Sequence, residues 1–153
     1  MDVEVKLLDP RVLEWGFPAY GSEMAAGLDL FACLEAPLLV EPQAPAVLVS
    51  SGIALHIGDP DWCALVYPRS GLGHKKGLVL GNGVGVIDAD YQGPVYVSMW
   101  NRNAVGTTPI EIRPGERIAQ LVLTRIVRPR FRVVNEFAAE SARRAGGFGS
   151  TGR

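Results

Sequence analysis

The chain has only two cysteines, two histidines and no apolar run of membrane length, and each scarcity excludes a class of protein. Cys33 and Cys63 lie far apart and form no CxxC pair, so neither a zinc site nor a disulfide framework is expected. They read as two core thiols in a reducing compartment. His56 and His74 are isolated and make no metal triad. No stretch reaches the ~18 apolar residues a membrane helix needs. The N-terminal MDVEVKLLDP carries acids where a secretory signal would carry bases. A soluble, cytoplasmic protein with no membrane partner is the expectation. An excess of one charge is also missing: 15 Lys and Arg against 16 Asp and Glu leave a net charge of −1. That balance gives no electrostatic grip on nucleic acid. A small anionic ligand stays open, because local clusters rather than net charge bind such ligands.

Helical periodicity is scarce too. No long segment shows apolar residues at i, i+3, i+4 and i+7. What the chain has instead is 18 glycines and 11 prolines, which break it at short intervals. Between the breaks lie Val/Ile/Leu-rich runs: Val3 to Leu8, Ala46 to Ile57, Trp62 to Tyr67, Val95 to Trp100, Ile110 to Ile112 and Ile118 to Val127. In Val95 to Trp100 the side chains alternate, with Val95, Val97 and Met99 on one face. Such runs argue strands, and 153 residues suit one domain. The pattern predicts an all-β, jelly-roll-like barrel or sandwich, with one short helix in Ser70 to Lys76. From Glu140 to Arg153 the chain is Gly-rich, basic and almost free of aliphatics, so it adds little to a core.

Four clusters could carry chemistry. In PRSGLGHKKGL (Pro68 to Leu78), Arg69 can fork two donors onto a phosphate. Ser70 adds a hydroxyl, and Gly71 and Gly73 let backbone N–H groups approach an anion. A Gly-rich turn with a solvated basic face explains the same string equally well. GNGVGVIDADYQG (Gly81 to Gly93) looks like a β-hairpin whose backbone can read a base edge. Asn82 offers donor and acceptor, and a carboxylate there can act as general base toward water. Turn capping is the plainer role for an Asp88/Asp90 pair. RPGERIAQLV (Arg113 to Val122) reads as a turn into a strand bearing Gln120. In AAGLDLFA (Ala25 to Ala32), Asp29 sits in an apolar run, where a carboxylate needs a hydrogen bond or a cation.

Together and in this order, the strings resemble the five motifs of the trimeric dUTPase family, closest to its bacterial members. They match as AAGLDL (25 to 30), PRSGLGHKKG (68 to 77), GVIDADYQG (85 to 93), RPGERIAQLV (113 to 122) and GGFGSTG (146 to 152). The resemblance implies a jelly-roll domain over 1–139 and a flexible C-terminal arm over 140–153 that closes over a neighbouring subunit's site. It implies a homotrimer with shared active sites, Mg²⁺ as cofactor, and dUTP as substrate. Water would attack the α-phosphorus, releasing dUMP and pyrophosphate, which limits uracil in DNA and supplies dUMP for thymidylate synthesis.

The same resemblance implies a role for each matching residue. Asp88 orients the attacking water. Tyr91 packs under the deoxyribose. Asn82 and the backbone of Gly85, Val86 and Ile87 read uracil, with Tyr96 nearby. Arg69, Ser70, Gly71 and Gln120 hold phosphates. Arg143, Phe148, Gly149 and Ser150 act from the arm. Asp29 organises waters around Mg²⁺. Asp90 stands where many relatives carry a small residue and is expected to be solvated or structural. A dCTP deaminase of similar fold would need a glutamate near the base, and 77 to 93 contains none. A regulatory scaffold without catalysis would be marked by loss of Asp88, Arg69 or the arm string, and all are present.

Overall fold

A computed structural model describes residues 1–141. Among them the chain forms ten strands, one short α-helix and one π-helical turn. The strands are β1 (Glu4–Leu7), β2 (Leu28–Phe31), β3 (Leu38–Val40), β4 (Val47–His56), β5 (Trp62–Pro68), β6 (Leu78–Leu80), β7 (Gly85–Ile87), β8 (Pro94–Asn101), β9 (Ile110–Ile112) and β10 (Arg117–Arg125). Helix α1 covers Arg11–Glu14, and the π-helical turn covers Gly71–Lys76. One antiparallel sheet runs β1-β4-β8-β6, a second runs β2-β10-β5-β7, and β3 pairs β9. The apolar residues of both four-stranded sheets meet in one core, including Leu30, Ile53, Val97, Met99 and Ile118. This is the expected all-β jelly roll. No helix among the described residues is long and apolar enough to cross a membrane.

The alternation in β8 does what it implied. Val95, Val97 and Met99 are buried, while Tyr96 points outward. The run over 46–57 becomes the long central strand β4, which β1 and β8 flank. Its register slips between Ser50 and Ala54, at a bulge centred on Gly52. Gly52 has φ of 74°, and a Cβ there would lie 2.5 Å from Val12 Cγ2. Only glycine lets α1 close over the strand at that point.

Two expectations are corrected, and one element, α1, is added that the sequence did not mark. The Gly81–Gly93 segment is not a hairpin on itself. β6 pairs β8 in one sheet, and β7 pairs β5 in the other, so the chain changes sheets between them. The glycines signal a reversal of direction, and a reversal does not fix which strand is the partner. Helix α1 is too short to show a helical period. Cys33 is only partly buried, with Sγ 3.2 Å from Asp9 Oδ2, whereas Cys63 is a core thiol as expected. The short helix in Ser70 to Lys76 is present as the π-helical turn. After β10, residues 126–141 continue without helix or strand.

Candidate active site

Two hollows hold most of the residues singled out in the sequence. The larger, about 560 Å³, is bounded by Gly21, Ala25–Gly27, Asp29, Arg69–Leu72, Lys76, Arg117, Gln120 and Val122. Small residues at 25–27 leave it room. Gly27 is pressed against Gln120, where a Cβ would meet Oε1 at 2.7 Å. Gln120 Nε2 donates to Pro68 O at 3.1 Å, which fixes the amide beside Arg69. Asp29 sits in the register position opposite Gln120, on β2.

Asp29 is the buried carboxylate that was expected to need a hydrogen bond or a cation, and it has two cations. Arg69 Nε lies 3.1 Å from Oδ1, and Arg117 Nη1 lies 3.2 Å from Oδ2. Arg69 Nη1 also donates to Arg117 O at 3.0 Å. Two guanidiniums are thereby held side by side at the rim, charged and partly open to solvent. Lys76, 3.8 Å from Glu116, adds a third cation to the hollow. Such a concave cationic wall with glycine backbone at Gly71 suits a polyanion.

The smaller hollow, about 250 Å³, is lined by Val66, Asn82, Gly85–Asp88, Tyr91 and Pro94–Tyr96. It lies at the seam where the chain changes sheets. Among the described residues β7 is the last strand of its sheet, so one edge of its backbone carries no strand partner there. Gly85 is tight against Val66, where a Cβ would lie 3.1 Å from Val66 Cβ. Tyr91 is anchored by its hydroxyl, which donates to Pro94 O at 3.0 Å. Its ring occupies the space of a missing side chain: a Cβ on Gly93 would meet Tyr91 Oη at 2.4 Å. Asp88 is exposed at this hollow, and its carbonyl accepts from Tyr91 N at 3.2 Å. Asp90 does not join it. It lines a separate hollow with His56 and Arg128. His56 ends β4, with Nδ1 3.1 Å from Glu4 Oε2.

The structure therefore groups Asn82, Gly85, Val86, Ile87, Asp88, Tyr91 and Tyr96 in one hollow. It groups Asp29, Arg69, Ser70, Gly71 and Gln120 in the other. The two share no lining residue. Arg143, Phe148, Gly149 and Ser150 lie outside the described residues. The sequence reading missed Arg117. Counting by twos from Gln120 puts Arg117 on the opposite face of β10. A one-residue register shift between Arg117 and Ala119 brings it round to the same side.

As a metal site, the larger hollow offers one carboxylate, Asp29, whose oxygens already face two arginines. No group of three or more His, Cys, Asp or Glu able to hold a metal occurs among the described residues. This donor set does not build an all-protein cage. It fits a hard cation that arrives on phosphate oxygens and keeps most of its waters.

A jelly roll with a cationic, glycine-lined hollow and a second hollow bounded by an open strand edge and an anchored tyrosine defines a nucleotide-binding class of protein. A family model for dUTPase matches residues 14–152. Deoxyuridine 5′-triphosphate nucleotidohydrolases of Xanthomonas campestris pv. campestris (strain B100) and Xanthomonas oryzae pv. oryzae (strain MAFF 311018) are 57% and 56% identical over 151 residues. Those matches cover 98% of this chain and 96% and 94% of theirs. Among solved structures, the dUTPase of Staphylococcus bacteriophage 80alpha with dUpNHpp aligns with a TM-score of 0.78 at 27% identity, covering 99% of both chains. A dUTPase from phage phi11 of S. aureus, described with a structural Mg(II) ion, shares the fold, with a TM-score of 0.77 at 24% identity over 91% of this chain and 100% of that one. The chain belongs to the dUTPase family.

Proposed function

We propose that this chain hydrolyses dUTP to dUMP and pyrophosphate by attack of water on the α-phosphorus. The observation that carries the reading is the sorting of the motif residues into two hollows, one cationic and one with an open backbone edge beside a tyrosine. The free edge of β7 and the Asn82 amide offer a fixed donor and acceptor pattern to uracil, which rejects a base with the wrong pattern. Tyr91 packs under the deoxyribose and leaves no space for a 2′-hydroxyl. Asp88, a carboxylate in contact with solvent at the same hollow, takes a proton from the attacking water. Arg69, Ser70, Gly71 and Gln120 hold the phosphates, with Arg117 beside Arg69. Catalysis is then positioning and charge stabilisation with one base.

The active unit is a homotrimer with shared sites. One subunit supplies the hollow around Tyr91, a neighbour supplies the cationic hollow, and a third lends residues 140–153, with Arg143, Phe148, Gly149 and Ser150. Two features support assembly. The two hollows of one chain have no lining residue in common. The segment after β10 carries Val127, Phe131, Val133 and Phe137, each at least 87% exposed. A second copy that covered them would remove a large apolar area from water. The division into a domain over 1–139 and an arm over 140–153 belongs to this reading. Mg²⁺ reaches the site on the triphosphate, near the waters that Asp29 orders, and neutralises phosphate charge when bound. In the cell, which we take to be the cytoplasm, the reaction limits uracil in DNA and supplies dUMP for thymidylate synthesis.

Pyrophosphate release from dUTP, dCTP, dTTP and UTP in parallel, with Mg²⁺ and then with EDTA, tests the reading. Release from dUTP alone, weakened by EDTA, is the expected result. Ammonia from dCTP would move the chain to deamination, and no reaction with any substrate would leave a binding scaffold.

A further inference from the structure

We infer that Arg102 and Asn103, which belong to none of the five motif strings, are positioning residues for the phosphate-binding turn and set affinity for the triphosphate but not for the nucleoside. The inference rests on the proposal that Arg69, Ser70 and Gly71 hold phosphate.

The turn that follows those residues, Gly71–Lys76, is a single π-helical turn with two glycines. One turn of this kind does not hold its own shape. Two consecutive residues after β8 hold it from outside. Arg102 Nη2 donates to Gly73 O at 2.9 Å, and Asn103 Nδ2 donates to Lys76 O at 2.9 Å. Arg102 N donates to Gly77 O at 3.0 Å. These three bonds fix the middle and the exit of the turn. Gly77 has φ of 80°, and a Cβ on it would lie 2.1 Å from Asn103 Oδ1. The Asn103 amide thus occupies the place of any larger side chain at 77.

The clamp is itself fixed to the barrel. Asn103 N donates to Asn101 Oδ1 at 3.1 Å. Asn101 is fully buried, and its Nδ2 donates to Val40 O at 3.0 Å. Gln43 Nε2 bridges the carbonyls of Arg102 (2.8 Å) and Asn103 (3.1 Å). Gln43 does this from a left-handed backbone with φ of 58°, uncommon for a residue other than glycine. A continuous run of hydrogen bonds therefore leads from the core to the turn behind Arg69 and Ser70. Arg102 does not line the cationic hollow. Its guanidinium faces a carbonyl of the turn, which separates its role from that of Arg69 and Arg117.

Calorimetric titration of the full chain with dUpNHpp and with 2′-deoxyuridine tests the inference, using Arg69→Ala as reference. Arg102→Ala and Asn103→Ala should each weaken dUpNHpp binding by about tenfold, the cost of a lost oriented hydrogen bond, and leave deoxyuridine within about twofold. Arg102→Lys, which keeps a donor for Gly73 O, should restore most of the affinity. Asn103→Asp, which turns an acceptor toward Lys76 O, should not. Equal losses for both ligands would make the role a general structural one and overturn the inference. Unchanged dUpNHpp affinity beside a weakened Arg69→Ala would overturn it while leaving the phosphate site standing. An Arg69→Ala variant with normal affinity would overturn both. If the alanine variants do not fold, the contrast of Arg102→Lys with Asn103→Asp decides, and equal wild-type affinity in the two refutes the clamp.

Discussion

Gly93→Ala is a one-carbon change that should cost little stability and much selectivity. The Gly93 backbone is not in the left-handed region, so alanine meets no conformational penalty there. The new Cβ would sit 2.4 Å from Tyr91 Oη and 2.6 Å from Cζ, whereas ordinary contact begins at 3.4 Å. The ring tip must therefore retreat by 3.4 − 2.4, about 1 Å. It can do so, because it is the far end of a half-exposed side chain. The retreat breaks the Tyr91 hydroxyl bond to Pro94 O, a net loss of about 0.5–1.5 kcal/mol. In a chain of this size that is a fall in Tm of about 2–4 °C per kcal/mol. The functional cost is larger. A group misplaced by about 1 Å at a reacting centre can cost on the order of a hundredfold in rate. Steady-state pyrophosphate release should show kcat/KM for dUTP reduced by roughly 30- to 100-fold, with the preference for dUTP over UTP narrowed by about tenfold or more. Tyr91→Phe, which loses only the hydroxyl bond, should lose less than about tenfold. A Gly93→Ala protein with kcat/KM within about threefold of the parent and unchanged sugar selectivity would refute the packing role of Tyr91.

Asp88→Asn should keep dUpNHpp affinity within a few-fold and lower kcat by about 10²–10⁴, as removal of a general base does; near-normal turnover would assign the proton to another group. Asp29→Asn leaves two guanidiniums without their shared counter-charge. Because Arg69 and Arg117 are 31% and 51% exposed, the loss should be about 2 kcal/mol rather than the full cost of a buried pair, seen as a Tm lower by about 4–8 °C with a raised KM for dUTP. An unchanged melting curve would mean that the arginines hold each other's places without it. Burial, with the hydrogen bond to Asp9, pushes the Cys33 thiol up to about 11. A raised thiol pKa keeps the group protonated, so the contact with Asp9 persists below pH 9 and is lost as pH rises through 11. At pH 8 iodoacetamide should label Cys33 about a hundredfold more slowly than a free thiol, read by peptide mass spectrometry.

The six apolar runs visible in the sequence all became strands, because alternation and burial are local properties that a short window records. The strands that no such run marked, β2, β3, β6 and β7, have three or four residues each, too few to show a period. The motif residues could be read as chemistry without coordinates, yet two relations could not. Arg117 faces the cationic hollow only because a bulge shifts the register of β10, and bulges leave no mark in a period-2 pattern. Asp29 needed a hydrogen bond or a cation on energetic grounds, but that two arginines supply it depends on β2 lying beside β10 and on the Arg69 that follows β5. The Gly81–Gly93 segment shows the same limit. Glycine and asparagine announce a reversal, and only the packing of Leu78 and Leu80 in one sheet and of Gly85 on Val66 in the other decides that the strands part company.

An unpaired strand edge is ordinarily a hazard, a template on which another chain can continue the sheet. β7 has such an edge and keeps it to three residues, too short to nucleate an intermolecular sheet. If uracil sits there, the base acts as a chain terminator for the sheet. It satisfies the amides that would otherwise solicit a strand. Occupancy would then show in amide exchange, with Gly85 to Ile87 slowed by bound nucleotide.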